Sequence, residues 1–194
     1  VLPDPKGIDR VVVHYSRRKN LEKQLSHGLA TLNETTKRFE TILELSDHES
    51  LHPAGQAFRA VDAGQEYIHF ATPYPTVRVP ARWESILEPS QYEAYSPLQL
   101  GIKIQPGAVA LPDQLDRDSS GRVTFGWKPN TSLVAPTLLS QWETQGVIIE
   151  EENAYRTVDT DSQKLIQLHA GSIRWNPYRQ RWIMIAHQVF GVSS

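Results

Sequence analysis

Cysteine is absent from the 194 residues, which excludes a disulfide framework, a thiol nucleophile and thiolate metal sites. That absence suits a cytosolic and a periplasmic protein equally. Long apolar runs are missing too, and with a mean hydropathy of −0.44 the sequence reads as soluble, with no membrane partner. Neither charge dominates: 20 basic and 22 acidic side chains leave a formal net charge of −2. The basic footprint of a nucleic-acid-binding domain is therefore absent. The sequence holds no glycine-rich phosphate loop, no G-x-S-x-G elbow and no H-E-x-x-H. Nucleotide chemistry and serine hydrolysis are unsupported, and no cofactor is implied. Methionine is scarce: Met184 is the only one, and the chain begins at Val1. We therefore expect a piece of a longer protein, from which an N-terminal segment has been removed.

What is present is β-strand chemistry in a chain of 22.0 kDa, sized for a single domain over 1–194 with a sizeable core. The clearest stretch is 168–187, a hairpin in which Ser172-Ile173-Arg174-Trp175 rises and Arg181-Trp182-Ile183-Met184-Ile185 returns. The turn between them, Asn176-Pro177-Tyr178-Arg179, has a mechanism: Asn bonds its own backbone and Pro presets φ. Strands are also expected at 9–15, at 64–70 and at 121–127, with a second hairpin turning at 33–36. Short strands are expected at 147–149, 154–158 and 165–168. Leu138, Leu139 and Trp142 at helical spacing before Gly146 predict a helix within 133–145. Leu21 and Leu25, four apart and followed by Gly28, predict a short helix over 16–28. The segment 80–98 reads two ways, with a helical turn at Trp83, Ile86 and Leu87 and another starting at Tyr92 and Tyr95. Residues 46–56 read as a loop.

The strong strands align at a period near fifty: Tyr15, Phe70, Phe125 and Met184 share one slot, and Val13, Ile68, Val123 and Trp182 stand two residues earlier. Such a period points to radial arrays of sheets. The expected class is all-β, a β-propeller of the five-bladed type that is incomplete in this chain. A β-sandwich with an appended helix is the alternative.

Three segments carry a resemblance: V-V-H-Y-S-R-R-K to H-G-L-A at 12–30, G-Q-E-Y-I-H-F-A-T-P-Y-P to Tyr95 at 64–95, and 169–194. They resemble a group of largely uncharacterised bacterial proteins, which in turn is similar to the five-bladed β-propeller glycoside hydrolases of the family 43 and family 117 clan. The resemblance implies a carbohydrate-active propeller with a carbohydrate ligand and its site at the channel mouth, either a glycoside hydrolase or a non-catalytic sugar- or protein-binding propeller. It also implies a periplasmic or secreted location, with the cytoplasm as the alternative. In those hydrolases a catalytic residue opens the innermost strand of a blade; here His169 stands in that slot, where family 43 has glutamate and family 117 a histidine acid. A histidine can serve as donor because a neighbouring carboxylate raises its pKa from near 6.5. The aspartate motif that opens the first blade in family 43 has no counterpart, so the general base is unassigned.

Around His169 the expected substrate contacts are Arg174, for a carboxylate or hydroxyls, and Trp175, as a stacking platform. His14, Arg17 and Arg18 form a basic cluster at a strand end, which a propeller would bring toward His169. Lys128 and Asn130 follow a strand, where ligand contacts are common. His48 and His52, beside Asp47 and Glu49, have the i, i+4 spacing of a divalent-metal pair on a helix. Pro53 and the loop character of the region argue against that, and no metal is assigned.

Overall fold

The computed structural model describes residues 1–20, 23–46, 51–105 and 108–189. Strands make up 45% and helices 12%, so the protein is all-β. Among the described residues the strands form antiparallel sheets, none of which closes on itself. A minimal pair, β1 (Leu2–Pro3) and β2 (Asp9–Arg10), precedes a three-stranded meander of β3 (Val12–Lys19), β4 (Lys23–Asn33) and β5 (Arg38–Leu45). A five-stranded meander follows, β6 (Gln56–Asp62), β7 (Gln65–Ala71), β8 (Pro75–Pro80), β9 (Glu93–Ser96) and β10 (Gly126–Pro129), in that spatial order. The hairpin β11 (Leu168–Asn176) and β12 (Arg181–Gln188) comes last. Among the described residues, two α-helices, α1 (Trp83–Ile86) and α2 (Pro136–Thr144), and three short 3-10 turns punctuate the strands.

Successive side chains of a strand alternate between faces, and this divides the work of the five-stranded sheet. One face carries Phe70, Val77, Val79 and Ala94, which are buried with Leu2, Leu29, Ile86 and Tyr92 and packed against Val12, Ile42 and Leu43 of the three-stranded sheet. Phe58, His69, Arg78 and Glu93 stand opposite one another on the other face, and that face receives the hairpin. The three-stranded meander, the five-stranded meander and the hairpin, itself the shortest meander, thus stack face to face in chain order. A second core surrounds α2, where Leu139 and Trp142 join Leu98, Leu115, Val134 and Ile148.

The helix expected over 16–28 is not formed; its described residues end β3 and begin β4. Gly28 is a strand residue opposite Tyr15 and Glu44, and a Cβ there would stand 2.0 Å from the Leu43 carbonyl oxygen. It is glycine because two strands approach closely, and not because a helix ends. Tyr92 and Tyr95 start no helix: Tyr92 donates its hydroxyl to the Ile86 carbonyl at 2.9 Å, and Tyr95 pairs with Trp127 in the sheet. The strand expected at 121–127 is delayed to Gly126, after a single bridge between Arg117 and Val123. The stretches 147–149 and 154–158 form no strands of their own; a 3-10 turn at Glu150–Glu152 lies between them, and Val158 makes one bridge with Leu165. The hairpins at 23–45 and 168–188 and the helix α2 form as expected.

The period near fifty does not map one repeat to one sheet. Tyr15 lies on an edge strand of the first meander and Phe70 inside the second, Phe125 immediately precedes the edge strand β10 of that same second sheet, and Met184 lies on β12.

Candidate functional site

The first strands of the three meanders meet where β6 begins. His14 on β3 donates from Nε2 to the Gly55 carbonyl at 2.8 Å; a carbonyl only accepts, so the proton sits on Nε2. The next residue, Gln56, turns its amide to β11. Its Oε1 accepts from the Ile173 amide at 2.7 Å, and its Nε2 donates to the Ile173 carbonyl at 3.3 Å. One side chain thus imitates a strand partner and holds the hairpin on the sheet. Between β3 and β6 lies a cavity of about 450 Å³, lined mainly by apolar groups such as Val12, Phe70 and Tyr92, with His14 and Arg59 at its polar margin.

On the hairpin, the turn forms as its chemistry dictates: Asn176 Oδ1 accepts from the Arg179 amide at 2.9 Å. This register places Trp175 opposite Trp182, with ring centroids 5.7 Å apart in an edge-to-face pair. Both stay about half open to solvent, 48% and 44% exposed, and Tyr178 at the tip is 93% exposed. A line of rings runs inward from this pair: Trp182 to Phe58 at 5.1 Å, Phe58 stacked on His69 at 5.2 Å, His69 to Trp127 at 5.0 Å, and Trp127 to Tyr95 at 5.1 Å.

Arg78 anchors the inner end of that line. Only 6% exposed, its guanidinium lies 3.8 Å from the centroid of Tyr67 and 4.7 Å from that of Trp127. It donates to Asp62 and Glu93, each at 2.6 Å. The hydrogen bond and charge of Arg78 hold Asp62 below the usual carboxylate range. His69, also 6% exposed, finds no hydrogen-bond partner for either ring nitrogen among the described residues. Burial, aided by the charge of Arg78, pushes its pKa down to about 4, so the ring is neutral at physiological pH.

The residues singled out in the sequence are spread over this framework. His169 is the second residue of β11 and is exposed, and Arg174 is exposed one residue before Trp175. By alternation, Arg174 faces away from Trp175. His14 is committed to Gly55 and lies edge-on to Phe70 at 6.1 Å. Arg17 falls on the opposite face of β3 from His14, and Arg18 leans on the Ser16 hydroxyl at 3.3 Å beyond a bulge. These three therefore do not make one patch, and β3 and β11 lie on opposite faces of the middle sheet. Lys128 spends its three donors on the carbonyls of Leu98 at 2.6 Å and Ser96 at 3.3 Å and on Asp116 at 2.8 Å, a structural role that leaves none for a ligand. Asn130 takes a left-handed turn with φ 52°, a conformation asparagine tolerates, at the rim of a shallow pocket with Glu88, Ser90 and Lys103. His52 packs its ring 4.9 Å from His27; Asp47, His48 and Glu49 lie outside the described residues.

Sequence reasoning missed Arg78, His69, Tyr67 and Trp127. The one local signal was Val77-Arg78-Val79-Pro80, a charge between valines in a strand.

Fold and site together define an all-β protein of stacked antiparallel meanders with an aromatic- and arginine-rich hairpin. No protein family, curated protein or solved structure matches the chain.

Proposed function

We propose that the three-stranded meander, the five-stranded meander and the hairpin are successive blades of a propeller-type domain, and that the protein binds carbohydrate on hairpin β11–β12 without hydrolysing it. The observation that carries the binding reading is the half-open Trp175–Trp182 pair beside the exposed Tyr178. Rings fixed by cross-strand packing offer apolar faces to sugar C–H groups at little entropic cost. The blade reading is supported by meanders stacked in chain order with their first strands adjacent at Gly55 and Gln56.

Binding is favoured over hydrolysis on electrostatic grounds. Glycoside cleavage uses a protonated acid facing a second carboxylate about 5–10 Å away. Among the described residues, each carboxylate with a displaced pKa is displaced downward: Asp4, Asp62, Glu88, Asp118 and Asp159. Asp62 and Glu93, the pair nearest the aromatic line, share the ion pair with Arg78, which favours their ionised forms over a protonated acid. His169, the acid that the resemblance suggests, makes no ion pair with a described carboxylate.

A panel of oligosaccharides tests this reading. A binding partner raises Tm, by about 2.7 kcal/mol of added stability at a hundredfold excess over Kd, while no reducing ends appear. Release of reducing ends would replace the binding reading with the hydrolytic one, and a Tm unmoved by every sugar would remove both.

A further inference from the structure

The charge of this chain is segregated. After Asp161 there are four basic residues, Lys164, Arg174, Arg179 and Arg181, and no acidic one, although the whole chain carries a net charge of −2. Three of the four are guanidiniums on hairpin β11–β12. Elsewhere Arg10, Arg59, Arg78, Arg117 and Arg156 each hold a carboxylate. Among the described residues no carboxylate pairs with Arg174, Arg179 or Arg181.

The register turns these charges into a site. Arg174 pairs with Ile183 and Asn176 with Arg181, so Arg174, Asn176, Arg181, Ile183 and Ile185 share the face that points away from the middle sheet. A groove of about 320 Å³ runs over this face between Arg174, Asn176 and Pro177 on one strand and Ile183 and Ile185 on the other. Ile183 and Ile185 give it an aliphatic side, and Arg174 is the charged group in its lining.

We infer that this groove binds an acidic polysaccharide through its uronate carboxylates, with Arg174 in its wall as the anion clamp and Arg181, diagonal to Arg174 on the same face, as a second cation beside it. The inference rests on the carbohydrate reading above and narrows it to one ligand class. A pyranose presents an apolar face that suits Ile183 and Pro177. The planar carboxylate of a uronate matches the fork of a guanidinium, which donates two parallel hydrogen bonds. Charge complementarity also decides against nucleic acid. A protein that tracks a phosphate backbone neutralises many phosphates and carries a basic domain, whereas this chain has a sequence pI of 6.4 and three unpaired arginines on one hairpin.

Fluorescence polarisation of the full chain with labelled oligogalacturonate, a neutral malto-oligosaccharide and oligo-U RNA provides the test. The acidic oligosaccharide is expected to bind at least tenfold more tightly than the neutral one, and added NaCl is expected to weaken it. The double substitution Arg174→Gln with Arg181→Gln should lower that affinity at least tenfold at unchanged Tm, while Arg122→Gln, on a distant turn, should leave it unaltered. Undiminished binding by the double variant overturns the inference, as does RNA binding of equal strength. If neutral and acidic sugars bind alike, this inference fails and the carbohydrate reading survives; if neither binds, both fail.

Discussion

Arg78 shows what one residue can organise. It is buried between two aromatic faces and two carboxylates, and every one of these partners reaches it from another strand or turn. Removing one partner of a buried ion pair leaves the other charge uncompensated, at a cost of about 3–5 kcal/mol. Arg78→Ala is therefore expected to lose stability in that range by urea denaturation; a loss below about 1 kcal/mol would mean that Glu93 rehydrates freely. His69 beside it sets a pH dependence. Its pKa is about 4 in the folded protein against about 6.5 unfolded, so below pH 6.5 the unfolded chain takes up a proton that the folded one refuses. Stability then falls as pH drops from about 6.5 to about 4, by on the order of 1–2 kcal/mol after solvent screening. Asp62, depressed by Arg78, adds its own loss at lower pH, as the medium falls through its folded pKa beneath the ordinary carboxylate range. His69→Phe should preserve the stack on Phe58, abolish the decline between pH 6.5 and 4, and gain about 1 kcal/mol at pH 7, because two unpartnered ring nitrogens disappear. Equal pH slopes for variant and parent would place the titration elsewhere. None of this was legible in the sequence. Val77-Arg78-Val79 hints at an inward charge, but Asp62 and Glu93 stand 16 and 15 residues away and become partners only through strand pairing.

At the scale of elements, legibility followed the range of the interaction. The hairpin β11–β12 could be read because Asn176 and Pro177 act within four residues, and α2 because Leu138, Leu139 and Trp142 recur on one helical face. The segment 16–28 was misread for the complementary reason. Leu21 and Leu25 have helical spacing, but Ser16 to Lys19 and Lys23 to Gly28 are claimed by pairing across the meander, and Asn20 turns the chain with φ 64°. Docking of the hairpin is another non-local event, carried by Gln56 and by the contact of Trp182 with Phe58. Gln56→Leu removes both bonds to Ile173 and leaves that amide unpaired. We expect a loss of about 1–2 kcal/mol, together with faster hydrogen exchange across β11 than across β7. Unchanged protection of the Ile173 amide would show that ring packing alone seats the hairpin.

For the whole molecule, the sequence allowed the all-β class to be read but not the grouping of its strands. Apolar alternation looks the same in every strand, so Phe70 and Phe125 suggested separate repeats, although β7, which holds Phe70, and β10, which begins just after Phe125, belong to one five-stranded sheet. What the stacked sheets achieve is to leave one hairpin with its tryptophans half open and its arginines unpaired. Of the expected site residues, Arg174 and Trp175 both lie on that hairpin but on its opposite faces, Lys128 and His14 are absorbed by the scaffold, and His169 stands at the strand's far end. Whether this hairpin holds a sugar without cleaving it is decided by isothermal titration of an oligosaccharide panel, with reducing ends assayed in the same samples. We expect saturable binding that weakens about tenfold in Trp175→Ala, the loss of one stacking face, with no new reducing ends. Binding unaffected by that substitution, or reducing ends that accumulate with time, would contradict that expectation.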